Sequence, residues 1–256
     1  MKKIPGIFAV LALLLLSVCG LRGVAAAGPG GKADEALTLF VKAGMAYKDG
    51  HYDQAAVYYE EIVRKGLESG PVYYNLANCY FKKGALGKAV LNYERAGKLI
   101  PRDQDLKANH EYALSLLDVP SIPATGAEWR EKIAGALALL TDEEMILLAL
   151  AFAFLAAVLH LLSLQRGGGR GLPVLFCCLA LLFSAGFAVS AGGGRDNALA
   201  VAKTSARFEP REEATVHFEV PEGQRIKVLR AEGAWTKIER ADGKAGWVPS
   251  PAVEKI

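Results

Sequence analysis

The chain is 256 residues long, 52% hydrophobic, and carries 30 basic against 27 acidic side chains, a net charge of +3. That length suits about two domains. The even charge balance, without a run of one sign, leaves nucleic-acid binding no electrostatic footprint. The four cysteines, Cys19, Cys79, Cys177 and Cys178, offer neither a disulfide framework nor a metal-ligand spacing.

Residues 1–27 read as an export signal. Lys2 and Lys3 precede the apolar stretch Ile7–Val18, and Ala25-Ala26-Ala27 forms a small-residue cleavage site. Two other readings stay open. Leu16-Ser17-Val18-Cys19 loosely resembles a lipoprotein signal, with Val18 a poor fit, and the stretch could stay uncleaved as an anchor. In each case the basic end stays inside and the next module is carried outside.

Ala36–Ser69 and Gly70–Asp103 repeat with a period of 34 residues. Gly50 matches Gly84, Ala55 matches Ala89, Tyr59 matches Tyr93 and Glu60 matches Glu94. This resembles the tetratricopeptide pattern. The second copy carries it best, in Leu76, Ala77, Tyr80, Gly84, Ala89, Tyr93, Ala96 and Pro101. The resemblance implies an α-helical solenoid over residues 33–118. Small Ala77 and Ala89 sit where paired helices cross, and Tyr80 and Tyr93 fill the wedge between pairs. Gly84 ends one helix in a left-handed conformation and Pro101 stops the next. The first copy departs at Lys42 and Leu67, where Leu and Pro are usual, and Asp103–Leu117 is expected as a closing helix.

Such stacks bind extended peptides on a concave face. Candidate groove residues are Phe40, Gly44 and Tyr47, then Tyr74, Asn75, Asn78 and Phe81, then Asp105, Ala108 and Asn109. Relatives that grip a peptide carboxylate use Lys and Asn on the first helix and basic residues on the third. Phe40, Gly44, Asp105 and Asn109 stand there instead, so no carboxylate clamp is expected. Asn75 and Asn78 have a second reading, as caps and bridges between repeats.

Residues 119–144 read as a linker with Pro120, Pro123 and Gly126, followed by an amphipathic helix Ala127–Leu140. Its stripe is Trp129, Ile133, Leu137 and Leu140. That helix either lies on the outer leaflet or packs on the repeats.

Met145–Leu164 and Leu172–Ala191 are each 20 residues long and contain no Asp, Glu, Lys or Arg. At 1.5 Å per residue each covers roughly 30 Å, the thickness of a bilayer's hydrocarbon core. The short link between them forces a hairpin, spanning residues 145–164 and 172–191, with both flanks on one side. Arg166 and Arg170 in the link, and Asp142, Glu143 and Glu144 before the first run, place the link inside. The expected location is a bacterial inner membrane, with the repeats and the C-terminal module in the periplasm. His160 reads as an interfacial histidine, and Cys177 and Cys178 as small apolar helix residues.

From residue 198 to 256 the periodicity becomes two. Val216, Phe218 and Val220 alternate with polar residues, as do Ile226 and Val228; Trp235 and Ile238 follow out of strict register. Pro221-Glu222-Gly223, Glu232-Gly233 and Asp242-Gly243 mark turns, the last a hairpin signal. Five short strands in a partly open barrel are expected. Val220–Gly223, Ile226–Leu229, Gly233–Ile238 and Asp242–Val248 resemble a bacterial SH3-like domain, whose early Val-Arg-x-Gly-Pro stretch is reduced here to Ala206–Pro210. The resemblance implies cell-wall peptides or proteins as ligands. Trp235 and Trp247 are the candidate ligand face, with Trp247 also read as core or rim.

Taken whole, the chain reads as a multidomain membrane protein: helical solenoid, two transmembrane helices, small all-β barrel. That order, and the run Gly70–Ala96, are similar to the BatE family of the bacterial aerotolerance operon. The resemblance implies a membrane complex with von Willebrand A-domain proteins and a MoxR-type AAA ATPase. His51, His110, His160 and His217 are scattered, and no Ser/His/Asp set, phosphate loop or CxxC occurs. No enzymatic activity, cofactor or metal is therefore expected. The expected role is a membrane-anchored periplasmic scaffold in a Bat-type aerotolerance or envelope-stress complex. The alternative is an envelope sensor or cell-wall-binding protein that uses the barrel on peptidoglycan.

Overall fold

The computed structural model describes residues 31–119, 135–166, 171–193 and 197–256. The expected export signal, Trp129 and Ile133 of the amphipathic stripe, and Arg170 of the link lie outside these residues.

Five helices come first: α1 (Gly31–Lys48), α2 (Tyr52–Arg64), α3 (Gly70–Lys82), α4 (Leu86–Leu99) and α5 (Gln104–Ser115). Each packs on the next, so the region is a stack of helical hairpins. The 34-residue period is visible in the backbone. Gly50 and Gly84 both turn left-handed, at φ +80° and +76°, the conformation that closes a helix at least cost to glycine. Gly66, at φ +76°, closes α2 next to Leu67, so the missing Pro is not needed there. The Asp103 carboxylate caps α5 by accepting from the Leu106 amide at 2.8 Å. Ala55, Ala77, Ala89 and Ala96 are fully buried, and Tyr59 and Tyr93 fill the core beside them. Cys79 is fully buried there too, and burial pushes its thiol up to about 12.

Helices α6 (Asp142–Arg166) and α7 (Gly171–Gly193) form the apolar hairpin. Each is long and apolar enough to cross a membrane, and only 11% and 6% of their most apolar windows are buried. Core helices of a soluble protein would be covered; here Leu150, Leu164, Leu181 and others face outward. Small Ala156 and Ala180 are buried, and Phe152 stacks on Phe176 and Phe183 at 5.9 and 5.5 Å. The first helix begins three residues before the expected span because Thr141-Asp142-Glu143-Glu144 is a capping box. The Glu144 amide donates to Thr141 Oγ1 at 3.3 Å, and the Thr141 amide donates to Glu144 Oε2 at 3.0 Å.

The described end of the expected amphipathic helix differs from expectation. Only Gly135–Leu137 is helical there, a turn follows, and Leu137 sits against Gly186 of α7. The glycine makes room: a Cβ at position 186 would lie 3.1 Å from the Leu137 side chain.

The C-terminal region is a single antiparallel sheet of seven strands rather than five: β1 (Asn197–Ala200), β2 (Thr204–Arg207), β3 (Val216–Val220), β4 (Arg225–Glu232), β5 (Trp235–Glu239), β6 (Ala245–Pro249) and β7 (Val253–Lys255). Their order is β3-β2-β6-β5-β4-β1-β7. The unexpected strands are short, and β1 shows no polar alternation because both its faces are covered. Ala198 and Ala200 enter the sheet's own core with Phe218, Val220, Ile226, Ile238 and Val248. Leu199, and Val201 just beyond the strand, enter the core of the helical stack. A strand's two-residue period thus divides one segment between two cores.

Gly87, near the start of α4, lies where the two bodies approach closely. A Cβ there would sit 2.7 Å from Glu222 Cγ and 2.8 Å from the Val201 carbonyl oxygen. We predict that Gly87→Ala costs about 1–3 kcal/mol, the usual penalty for overpacking. A lowered urea midpoint at unchanged m-value, for the full chain in detergent, is the expected result.

Candidate interaction surfaces

Helix α4 carries the seam between stack and barrel on one face. Ala85, its N-cap, provides no side-chain hydrogen bond; instead the Gly87 amide donates to Glu222 Oε1 at 2.5 Å. A barrel carboxylate therefore meets the positive end of a stack helix. Further along, Arg225 Nε donates to Glu94 Oε1 at 2.8 Å, Arg95 bonds the Lys255 carbonyl, and Lys98 Nζ donates to the Ile256 carbonyl at 3.2 Å. Glu94 and Glu60 occupy equivalent places in the two copies. Glu60 accepts from the Tyr80 hydroxyl within the stack, whereas Glu94, its side chain only 7% exposed, holds the barrel.

His110 of α5 completes this corner, its Nε2 3.9 Å from Glu94 Oε1 and its ring 6.1 Å from that of Tyr93. Burial lowers its pKa from the ordinary 6.5; the Arg225 charge lowers it further, and Glu94 and Glu111 oppose. The group is thus neutral when folded, and unfolding raises its proton affinity. Its contribution to stability is complete above the unfolded-state value and fades as pH falls below it.

Of the ten groove candidates, Phe40, Gly44, Tyr47, Tyr74, Asn75, Asn78, Phe81 and Asn109 are half-buried, and Asp105 and Ala108 are exposed. Four side chains converge on one network. Asn78 Oδ1 accepts from the Tyr93 hydroxyl at 2.6 Å and from Asn109 Nδ2 at 3.4 Å, and Asn109 Nδ2 also donates to the Tyr74 hydroxyl at 2.8 Å. Asn75 lies beside the Tyr59 hydroxyl of the preceding helix. The asparagines therefore bridge neighbouring helices, and the aromatic rings supply the open surface. Phe81 lies 5.7 Å from Tyr112, which is 58% exposed. Phe40 and Tyr47 stand apart from that network, edge-on to Tyr59 and Tyr52.

On the barrel, the register sets Trp235 opposite Pro249 and Lys237 opposite Trp247. Both tryptophans thus share the outer face, while Thr236, Ile238 and Val248 point to the core side. Trp247 is only 4% exposed. The Arg230 guanidinium lies 5.0 Å from its ring centre and Lys237 Nζ 5.9 Å, a geometry favoured by the ring's negative face. Trp235 is half-buried beside them. The face is thus a cationic lid over one indole, next to a partly open second one.

Residues 204–254 match the family model of the bacterial SH3 domain. No curated protein matches the chain. The matched span holds β2 to β7, so Leu199 and Val201, which join this SH3 domain to the stack, lie just before it. A bacterial SH3 domain points to binding of protein or cell-wall material.

The seam was missed in the sequence. A short apolar run at Ala198–Val201, covered on both faces, looks the same whether strand or helix. Glu222 and Arg225 carry no local signal at all, because their partners are far along the chain.

Two outcomes test these surfaces. Asn78→Ala leaves the Tyr93 hydroxyl and the Asn109 amide short of an acceptor, and should cost about 1–3 kcal/mol in urea unfolding. In His110→Gln, stability should fall less than in the parent chain when pH drops from neutral to below 6.5. Equal slopes in parent and variant would remove His110 from the acid response.

Proposed function

We propose that the chain is a non-enzymatic scaffold of the bacterial inner membrane, holding a tetratricopeptide stack and an SH3 domain in the periplasm to recruit protein partners. The observation that carries this reading is the placement of both modules at one end of the apolar hairpin. The stack reaches the first turn of α6 through a two-pronged Arg102–Glu144 pair at 3.0 and 2.7 Å, and the barrel follows the end of α7. Exposed ion pairs contribute little stability, so that pair orients the stack more than it holds it. The α4 seam leaves the aromatic surface around Phe81 and Tyr112 and the Trp235 face uncovered, giving one joined unit with two recruiting surfaces close to the bilayer. Such proximity raises the effective concentration of bound partners.

The sequence likeness to the BatE family supports a Bat-type aerotolerance or envelope-stress complex, with von Willebrand A-domain proteins and a MoxR-type AAA ATPase as partners. A second reading rests on the barrel. The cationic lid of Arg230 and Lys237 over Trp247 suits carboxylate-bearing cell-wall peptides, which would make the protein an envelope sensor or peptidoglycan binder.

Photocrosslinkers placed at Phe81 and Tyr112 in intact membranes should capture a protein partner under the first reading, and capture should fall on Tyr74→Ala. Retention of the chain on purified sacculi, abolished by Lys237→Glu with Trp235→Ala, would instead favour the second. A reporter enzyme active only in the cytosol should stay silent when fused after Ile256; activity there would overturn the periplasmic placement.

A further inference from the structure

A cavity of about 1240 Å³ lies where the stack, the apolar hairpin and the barrel converge. Pockets for small ligands measure about 300–1,000 Å³, so this one has room for a larger molecule. Its floor is apolar and comes from the hairpin and its entry corner: Leu137, Leu140, Met145 and Leu182. Its upper walls are polar, with α4, α5 and β4 contributing Lys98, Lys107 and Lys227. Lys227 has no side-chain ion pair or hydrogen bond among the described residues. Lys107 reaches only Glu111, at 4.0 Å. The acids facing them are partly engaged elsewhere, Glu94 by Arg225 and Asp103 by the Leu106 amide.

An apolar floor continuous with the apolar hairpin, beneath a wall bearing three ammonium groups of which Lys227 is unpaired among the described residues, has the polarity profile of a phospholipid. We propose that this cavity holds one phospholipid drawn from the bilayer, with its phosphate at Lys98, Lys107 and Lys227 and its acyl chains against the corner at Leu137–Met145. Basic pockets beside transmembrane helices are known to take lipid headgroups. Mixed walls, in which acids such as Glu239 stand among the lysines, suit a headgroup bearing an ammonium as well as a phosphate. The inference rests on the membrane reading of α6 and α7. The lipid would fill the space left beside the α4 seam, the Arg102–Glu144 pair and the Leu137–Gly186 contact.

The full chain is reconstituted in phosphatidylethanolamine–phosphatidylglycerol vesicles containing phosphatidylethanolamine with a photoreactive acyl chain, and the labelled positions are mapped. Labels should appear at two places: on outward-facing hairpin positions such as Leu155 and Leu175, and on Leu137 and Leu140 at the corner. Lys227→Gln should lower corner labelling about fivefold, the weight of one basic group near a lipid surface, without changing hairpin labelling. Ala185→Trp, which fills the floor without touching the lysines, should abolish corner labelling alone. Hairpin labels with an unlabelled corner, or corner labels indifferent to both variants, would overturn the lipid site and leave the membrane reading intact. Absence of hairpin labels would overturn both.

Discussion

The architecture depends on a strand that belongs to two cores at once. In β1 and the residue after it, alternate side chains go to opposite sides: Ala198 and Ala200 to the barrel, Leu199 and Val201 to the helical stack. Burying side chains of the Leu199 and Val201 type stabilises by roughly 1.5–3 kcal/mol each. The small alanines let the strand lie deep in the sheet. Around it, α4 supplies Gly87 for close approach and Glu94, Arg95 and Lys98 for polar registration. A flexible tether would permit many orientations; a shared core with a glycine contact and directional hydrogen bonds permits one.

Repeat symmetry is broken to make this possible. Gly87 stands where the first copy has Asp53, and Glu94 where it has Glu60. In the first copy the acid steadies a neighbouring helix through Tyr80. In the second, the same helical position faces the barrel and takes Arg225. One repeat pattern thus yields an internal contact in one place and a docking contact in the other. The difference lies in what the chain returns to cover the second copy.

Much of the local structure was legible. The 34-residue spacing located the left-handed turns at Gly50 and Gly84, Pro101 marked the end of α4, and two uncharged runs marked the apolar hairpin. What stayed hidden was relational. Asn78 read as a ligand contact or, more readily, as a bridge, and its distances to Tyr93 and Asn109 show the bridge. Trp247 read as rim or core; the cations over its ring, Arg230 and Lys237, come from other strands. The strands β1, β2 and β7 are too short to show periodicity, and β1 is covered on both sides, which erases alternation. Thr141-Asp142-Glu143-Glu144 was readable as a capping box, yet its acids drew attention as topology markers instead.

The hydrogen bond from Gly87 to Glu222 joins residues 135 positions apart, and the whole apolar hairpin lies between them. During synthesis the stack is made first and must wait with α4 uncapped and the Leu199 site empty. The seam can close only after the whole apolar hairpin has been made and the last strands have emerged beside the waiting stack. Until then the stack keeps a raw apolar patch open to proteases and chaperones. The joint is therefore the last part of the fold to form, and its two sides are the parts of the chain made furthest apart in time.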